Sequence, residues 1–169
     1  MKKLITLALI LSPFVMEAQE LKVKSDAVAI SFDADMGNTK GSIGGFEATI
    51  KFNMDDLASS KIAGTVKTNT LETGNNKRDE HLKTADFFDA EKWPTMEFTS
   101  KSFKQDGDKI IMTGIMRIKD IEREETITFS YADKMFKGQG TIQAANYGIY
   151  ANKPADKTNV KISFAIPVE

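Results

Sequence analysis

Apolar residues recur at every second position through almost the whole chain, and this period constrains the fold more than any other feature. A period of two puts the apolar side chains of an extended segment on one face. Val28, Ile30, Phe32, Ala34 and Met36 alternate with Ala29, Ser31, Asp33 and Asp35. Phe46, Ala48, Ile50, Phe52 and Met54 alternate with Glu47, Thr49, Lys51 and Asn53. The pattern returns around 62–68, 96–99, 110–118 and 126–131. It is cleanest near the C-terminus, where Ile162, Phe164, Ile166 and Val168 alternate with Lys161, Ser163 and Ala165. Strand-like segments near 21–36, 41–54, 61–72, 95–103, 109–119, 123–133, 137–146 and 159–168 predict an all-β fold of eight strands. Each strand has one wet face and one face toward a shared interior, which predicts a closed up-and-down antiparallel barrel or a flattened sandwich.

Turn chemistry separates the strands. Residues 37–41, Gly-Asn-Thr-Lys-Gly, predict one hairpin, Asp106-Gly107 a second and residues 134–138 a third. Gly44-Gly45 lies inside strand-like sequence and predicts a bulge or a sharp bend. The stretch from Asn75 to Trp93 breaks the period. Its spacing predicts a short helical insertion around 76–92, with Thr84 capping a second short turn and Pro94 ending it. Leu82, Phe87, Phe88 and Trp93 are its expected anchors.

The first residues read as a secretory signal. Lys2 and Lys3 precede an apolar stretch from Leu4 to Met16, and Ala18 is the expected last residue removed. The stretch is short of the roughly 20 apolar residues a spanning helix requires. Residues 1–18 are therefore expected to be a signal peptide and 19–169 a single β-barrel domain, periplasmic or secreted. The chain has no cysteine, which excludes disulfides, thiolate catalysis and zinc–thiolate sites. Its formal net charge of -1 offers no electrostatic footprint for nucleic acid.

Catalytic chemistry is sparse. His81 is the only histidine, and no Gly-x-Ser-x-Gly elbow accompanies it. Asp79, Asp86, Asp89 and Glu91 lie near Arg78, Lys83 and Lys92, as helix-end and loop electrostatics require. Asp33, Asp35, Asp55 and Asp56 lack the spacing of a calcium loop. An enzyme would have to use His81 with Asp79 or Asp86; the chain is instead read as non-enzymatic, with no catalytic residue, metal or required cofactor. The interior is more informative. Eleven Phe and eight Met suit a pliable apolar surface, and Gly45, Gly64 and Gly114 are expected to face inward and subtract volume. Periodicity alone leaves a cavity and a packed core equally open.

Residues 69–100 read NTLETGNNKRDEHLKTADFFDAEKWPTMEFTS. This resembles the signature of the YceI-like family, which runs as x-T-G-N, R-D-x-H-L-K, D-F-F-D, K-Y/W-P-T and F-x-S. Gly45-Phe46 with Met54-Asp55-Asp56, Met112-Thr113-Gly114 with Ile118-Lys119, and Tyr147-Gly148-Ile149 resemble further family segments. The resemblance implies a lipocalin-like eight-stranded barrel with a helical insertion, mostly exported, sometimes a homodimer. It also implies a long isoprenoid or quinone-like lipid bound inside. Two departures stand out. Asp120-Ile121-Glu122-Arg123-Glu124 replaces the usual G-V-T-K-P, and Gln143-Ala144 replaces an N-R pair. The missing arginine favours a neutral lipid over a diphosphate.

The expected apolar tunnel is lined by Phe32, Phe46, Ile50, Phe52, Phe98, Met112, Met116, Phe129, Ile142, Phe164 and Ile166. The expected role is storage or transport of a long-chain apolar lipid. The alternative is a packed barrel that acts as a stress or interaction protein through its surface.

Overall fold

The computed structural model describes residues 19–169; the expected signal peptide lies outside the described residues. The strands are β1 (Gln19–Leu21), β2 (Ala29–Ala34), β3 (Thr39–Ser42), β4 (Glu47–Phe52) and β5 (Lys61–Lys67). Helix α1 (Asn76–Lys83) follows, then β6 (Thr95–Asp106), β7 (Lys109–Ile118), β8 (Ile121–Ala132), β9 (Met135–Gln143) and β10 (Asn159–Pro167). All pairings are antiparallel, in the order β1-β4-β5-β6-β7-β8-β9-β10-β2-β3.

Ten segments make eight strands, because the first two expected strands are each broken in the middle. β2 and β3 pair near the hairpin tip, Ala34 opposite Thr39, and β1 and β4 pair at its base, Leu21 opposite Ile50. Between these ladders, residues 22–30 face residues 43–49, and the longer side is taken up in a 3-10 turn at Ser25–Ala27. On the other side the break falls at Gly44-Gly45, the bend that the sequence predicts. Gly45 has φ +64, and a Cβ there would run into the Lys67 side chain at 2.6 Å. Lys67 is exposed, so Gly45 faces outward and is not one of the interior glycines expected from the pattern.

This split hairpin closes the barrel. Lys22 and Glu169 exchange backbone hydrogen bonds of 3.2 and 2.9 Å, and Val23 bridges Val168, so the strand that pairs with β4 also pairs with the end of β10. At the opposite end Ser42, the last residue of β3, exchanges bonds of 2.8 and 3.0 Å with Glu72.

Two turns differ from expectation by a few residues. The β6–β7 turn is Gly107-Asp108 rather than Asp106-Gly107, with positive φ at Gly107 and not at Asp108, as suits a type II′ hairpin. The β8–β9 turn is Asp133-Lys134, both at positive φ, and residues 135–138 already belong to β9. The insertion contains one helix followed by turns. The side-chain oxygen of Asn75 accepts from Arg78 N at its start. Thr84 ends it, its hydroxyl donating to His81 O at 2.8 Å, and turns continue through residue 92. Leu82, Phe87, Phe88 and Trp93 are half-buried.

Candidate functional site: the barrel interior

The inward side chains follow strand parity, and each end of the barrel closes differently. One end is stoppered by aromatic rings. Phe52 packs against Phe103, Phe129, Tyr131 and Phe136 with ring centroids 5.2 to 6.4 Å apart, mostly edge-to-face, the arrangement such rings prefer. Ile110 and Val168 are almost fully buried beside them. The other end is covered by the loop after β9, by α1 and by Phe88. Thr158, fully buried, pins that loop: its backbone oxygen accepts from Ala144 N and its hydroxyl oxygen from Ala145 N. Tyr147 and Ile149 are thereby set in the core at 0% and 2% exposure.

Between stopper and cover the barrel is not filled. A cavity of about 260 Å³ runs along its axis with an almost entirely apolar lining. It is lined by Phe32 from β2, Phe46 and Ile50 at β4, Phe98 from β6, and Met112 and Met116 from β7. Phe129 from β8, Ile142 from β9, and Phe164 and Ile166 from β10 complete the set. These are ten of the eleven tunnel residues expected from the sequence. Phe52 is the exception: it lies within the stopper, packed behind the lining rings Phe129 and Phe136, and does not itself face the cavity. Its parity is correct, but parity gives the face of a strand and not the depth along the barrel. Lining residues that the sequence reading did not place in the tunnel include Tyr147, Phe136, Ile118, Leu82 and Arg78.

Interior glycines do not leave holes; they seat rings. A Cβ on Gly64 would meet the Phe46 ring at 3.0 Å, and one on Gly138 would meet Phe164 at 2.6 Å. On Gly114 it would overlap both the Phe98 ring and the backbone oxygen of Thr99. The phenyl groups can thus lie against the wall, and the axis stays open. Because a backbone oxygen cannot yield as a side chain can, Gly114→Ala is expected to cost about 1–3 kcal/mol and to push Phe98 into the cavity. A urea denaturation series on the variant measures this; an unchanged midpoint would mean that β6 and β7 separate easily here.

The signature segment builds the rim. Asp79 is buried at 6% exposure. Its Oδ1 accepts from Thr73 N at 2.9 Å and from the Thr73 hydroxyl. Arg78 donates from Nε to the Thr73 hydroxyl oxygen at 2.7 Å and from Nη2 to Thr73 O at 3.1 Å. Thr73, Asn75, Arg78 and Asp79 thus form one local lattice that fixes the start of α1 to the loop before it, and Asp79 serves as an acceptor there. His81 stands on the outer surface, its ring edge-to-face with Phe87 at 4.8 Å and Nε2 3.7 Å from Asp86. Among the described residues no cluster of three or more His, Asp or Glu could hold a metal ion, and no helix is long and apolar enough to cross a membrane.

An antiparallel barrel that keeps an apolar cavity between a stopper and a rim is lipocalin-like in class. The model of the YceI-like domain matches residues 21–168, and the chain belongs to the YceI-like family. Protein YceI of Escherichia coli O6:H1 is 33% identical over 87 residues, a stretch covering 52% of this chain and 46% of that protein. The chain thus matches about half the length of this curated relative. The crystal structure of BcnA from Burkholderia cenocepacia superposes with a TM-score of 0.78 at 22% identity, covering 86% of this chain and 98% of that one. The Campylobacter jejuni YceI protein does so with 0.67 at 25% identity, over 78% and 85%. A polyisoprenoid-binding domain from Saccharophagus degradans aligns with a TM-score of 0.62 at 10% identity, over 90% and 99%.

Proposed function

We propose that this protein is a non-enzymatic carrier or store for a long apolar lipid, an isoprenoid or quinone-like chain held inside the barrel. The observation behind this reading is the unfilled interior. A sealed, empty void of about 260 Å³ would cost on the order of 6 kcal/mol at about 24 cal/mol per Å³. That is comparable with the whole stability of an ordinary domain, about 5–15 kcal/mol. The glycines Gly64, Gly114 and Gly138 instead hold Phe46, Phe98 and Phe164 against the wall and keep the space open. An apolar guest offsets the cost at about 25 cal/mol for each Å² it buries. The polyisoprenoid-binding domain of similar fold supports the ligand class. The N-terminal signal pattern supports a periplasmic or secreted location.

Native mass spectrometry of the exported protein, followed by organic extraction, tests the reading. One isoprenoid lipid per chain is the expected result. A protein that is empty as isolated and also refuses added polyprenyl lipids would overturn it and favour the surface-interaction alternative.

A further inference from the structure

The interior wall is almost wholly apolar; its charged lining residues are Arg78 and Glu97 in the main cavity and Glu125 in a side chamber. On β8 the inward residues alternate as Phe129, Ile127, Glu125, and Glu125 stands opposite Gly114 of β7. The Tyr147 hydroxyl, on a fully buried ring that lines the main cavity, donates to Glu125 Oε1 at 2.8 Å. Glu125 also lines a side chamber of about 40 Å³ next to Gly140, which shares the walls Met116, Ile127, Ile142 and Ile162 with the main cavity. The chamber is large enough for a water-sized group.

We propose that Glu125, braced by Tyr147, recognises the head of the bound lipid and selects an uncharged hydroxyl, a long-chain alcohol, over a phosphate. The assignment rests on the reading that the barrel holds a lipid. Its chemistry follows from what the pair offers. An ionised carboxylate only accepts hydrogen bonds, and Tyr147 has already committed its proton to it. Burial first, and then this hydrogen bond, push the tyrosine well above its ordinary pKa, so its hydroxyl remains a donor to Glu125. The remaining lone pairs call for a donor, and an alcohol supplies one. A phosphate would bring negative charge beside negative charge in a medium that screens poorly. Arg123, two residues along the same face, is exposed and donates from Nε to the Asn146 carbonyl, toward the loop at the rim. Arg78, the cation that does line the main cavity, has Nε and Nη2 committed to Thr73 and does not line the chamber beside Glu125.

The test compares three probes of one chain length: geranylgeraniol, geranylgeranyl phosphate and the hydrocarbon phytane. Dissociation constants are measured by competition against a fluorescent lipid. The wild-type protein is expected to prefer the alcohol about tenfold over both others, the worth of one charge-assisted hydrogen bond or one like-charge contact. Glu125→Gln keeps the shape and an acceptor for Tyr147 but removes the charge, and both preferences should shrink toward parity. Glu125→Asp keeps the charge and should retain the discrimination against phosphate, which guards against a folding defect in the first variant. Ratios that Glu125→Gln leaves unchanged, or a phosphate bound by wild type as tightly as the alcohol, would overturn the assignment. Binding of none of the three would instead remove the lipid reading itself, and this assignment with it.

Discussion

Met116→Trp is expected to leave the barrel folded and largely emptied of lipid. Met116 projects inward from β7, between Phe98 on β6 and Arg123 on β8, and lines both the main cavity and the side chamber. It therefore stands where the two spaces meet. An indole in its place extends into open space, so the strain that overpacking brings to a filled core is largely avoided. If the ring displaces about 100 Å² of ligand contact, the loss is about 2.5 kcal/mol, or roughly 70-fold in affinity. Occupancy by native mass spectrometry and the melting temperature without lipid read the two halves of this expectation separately. A variant that melts like wild type and still carries a full complement of lipid would show that the guest bypasses Met116.

The second large effect lies outside the cavity. Phe52→Ala should destabilise the protein by about 3–5 kcal/mol, the range for deleting a buried phenyl ring. In a domain of this size that lowers the melting temperature by roughly 6–20 °C. Phe52 is 4% exposed and is the hub of the stopper, in contact with four other aromatic rings. Since it does not line the cavity, lipid affinity per folded molecule should change only a few-fold. Calorimetry of the lipid-free protein and titration at a temperature where both forms are folded check this. A collapse in affinity with little loss of stability would put Phe52 back among the lining residues.

These two residues show what the sequence reveals and what it conceals. Period two identifies the inward face of every strand, because side-chain direction is a local property of extended backbone. It cannot tell how far along the barrel a residue sits, since depth depends on strand stagger and on what the loops place at each end. Met116 and Phe52 both have the correct parity, yet one lines the cavity and the other seals it. The split of the first hairpin is only half visible: Gly44-Gly45 marks one break, whereas residues 22–30 carry no comparable punctuation. Gly45 is expected inside as a volume-subtracting glycine, but its neighbour Phe46 holds the inward parity, and the structure places Gly45 on the outer face at positive φ. Glu125 could have been found. Counting back two residues from Ile127 along the same alternation puts a carboxylate on the dry face, and that inconsistency is itself the signal. Tyr147 carried no such mark, because a 3-10 turn held by Thr158, and not a strand, brings it inside.

The aromatic stopper has a consequence for traffic. A tube open at both ends lets a chain thread through, so entry and exit can face different surroundings. A vessel with one mouth obeys a last-in, first-out rule: the end of the guest that enters first must leave last, by the route it came. On the proposed lipid-carrier reading, loading and delivery would share the doorway at the rim, and whichever surface gives up or takes the lipid would have to meet that same rim. Handover would then depend on which way the molecule turns between donor and acceptor.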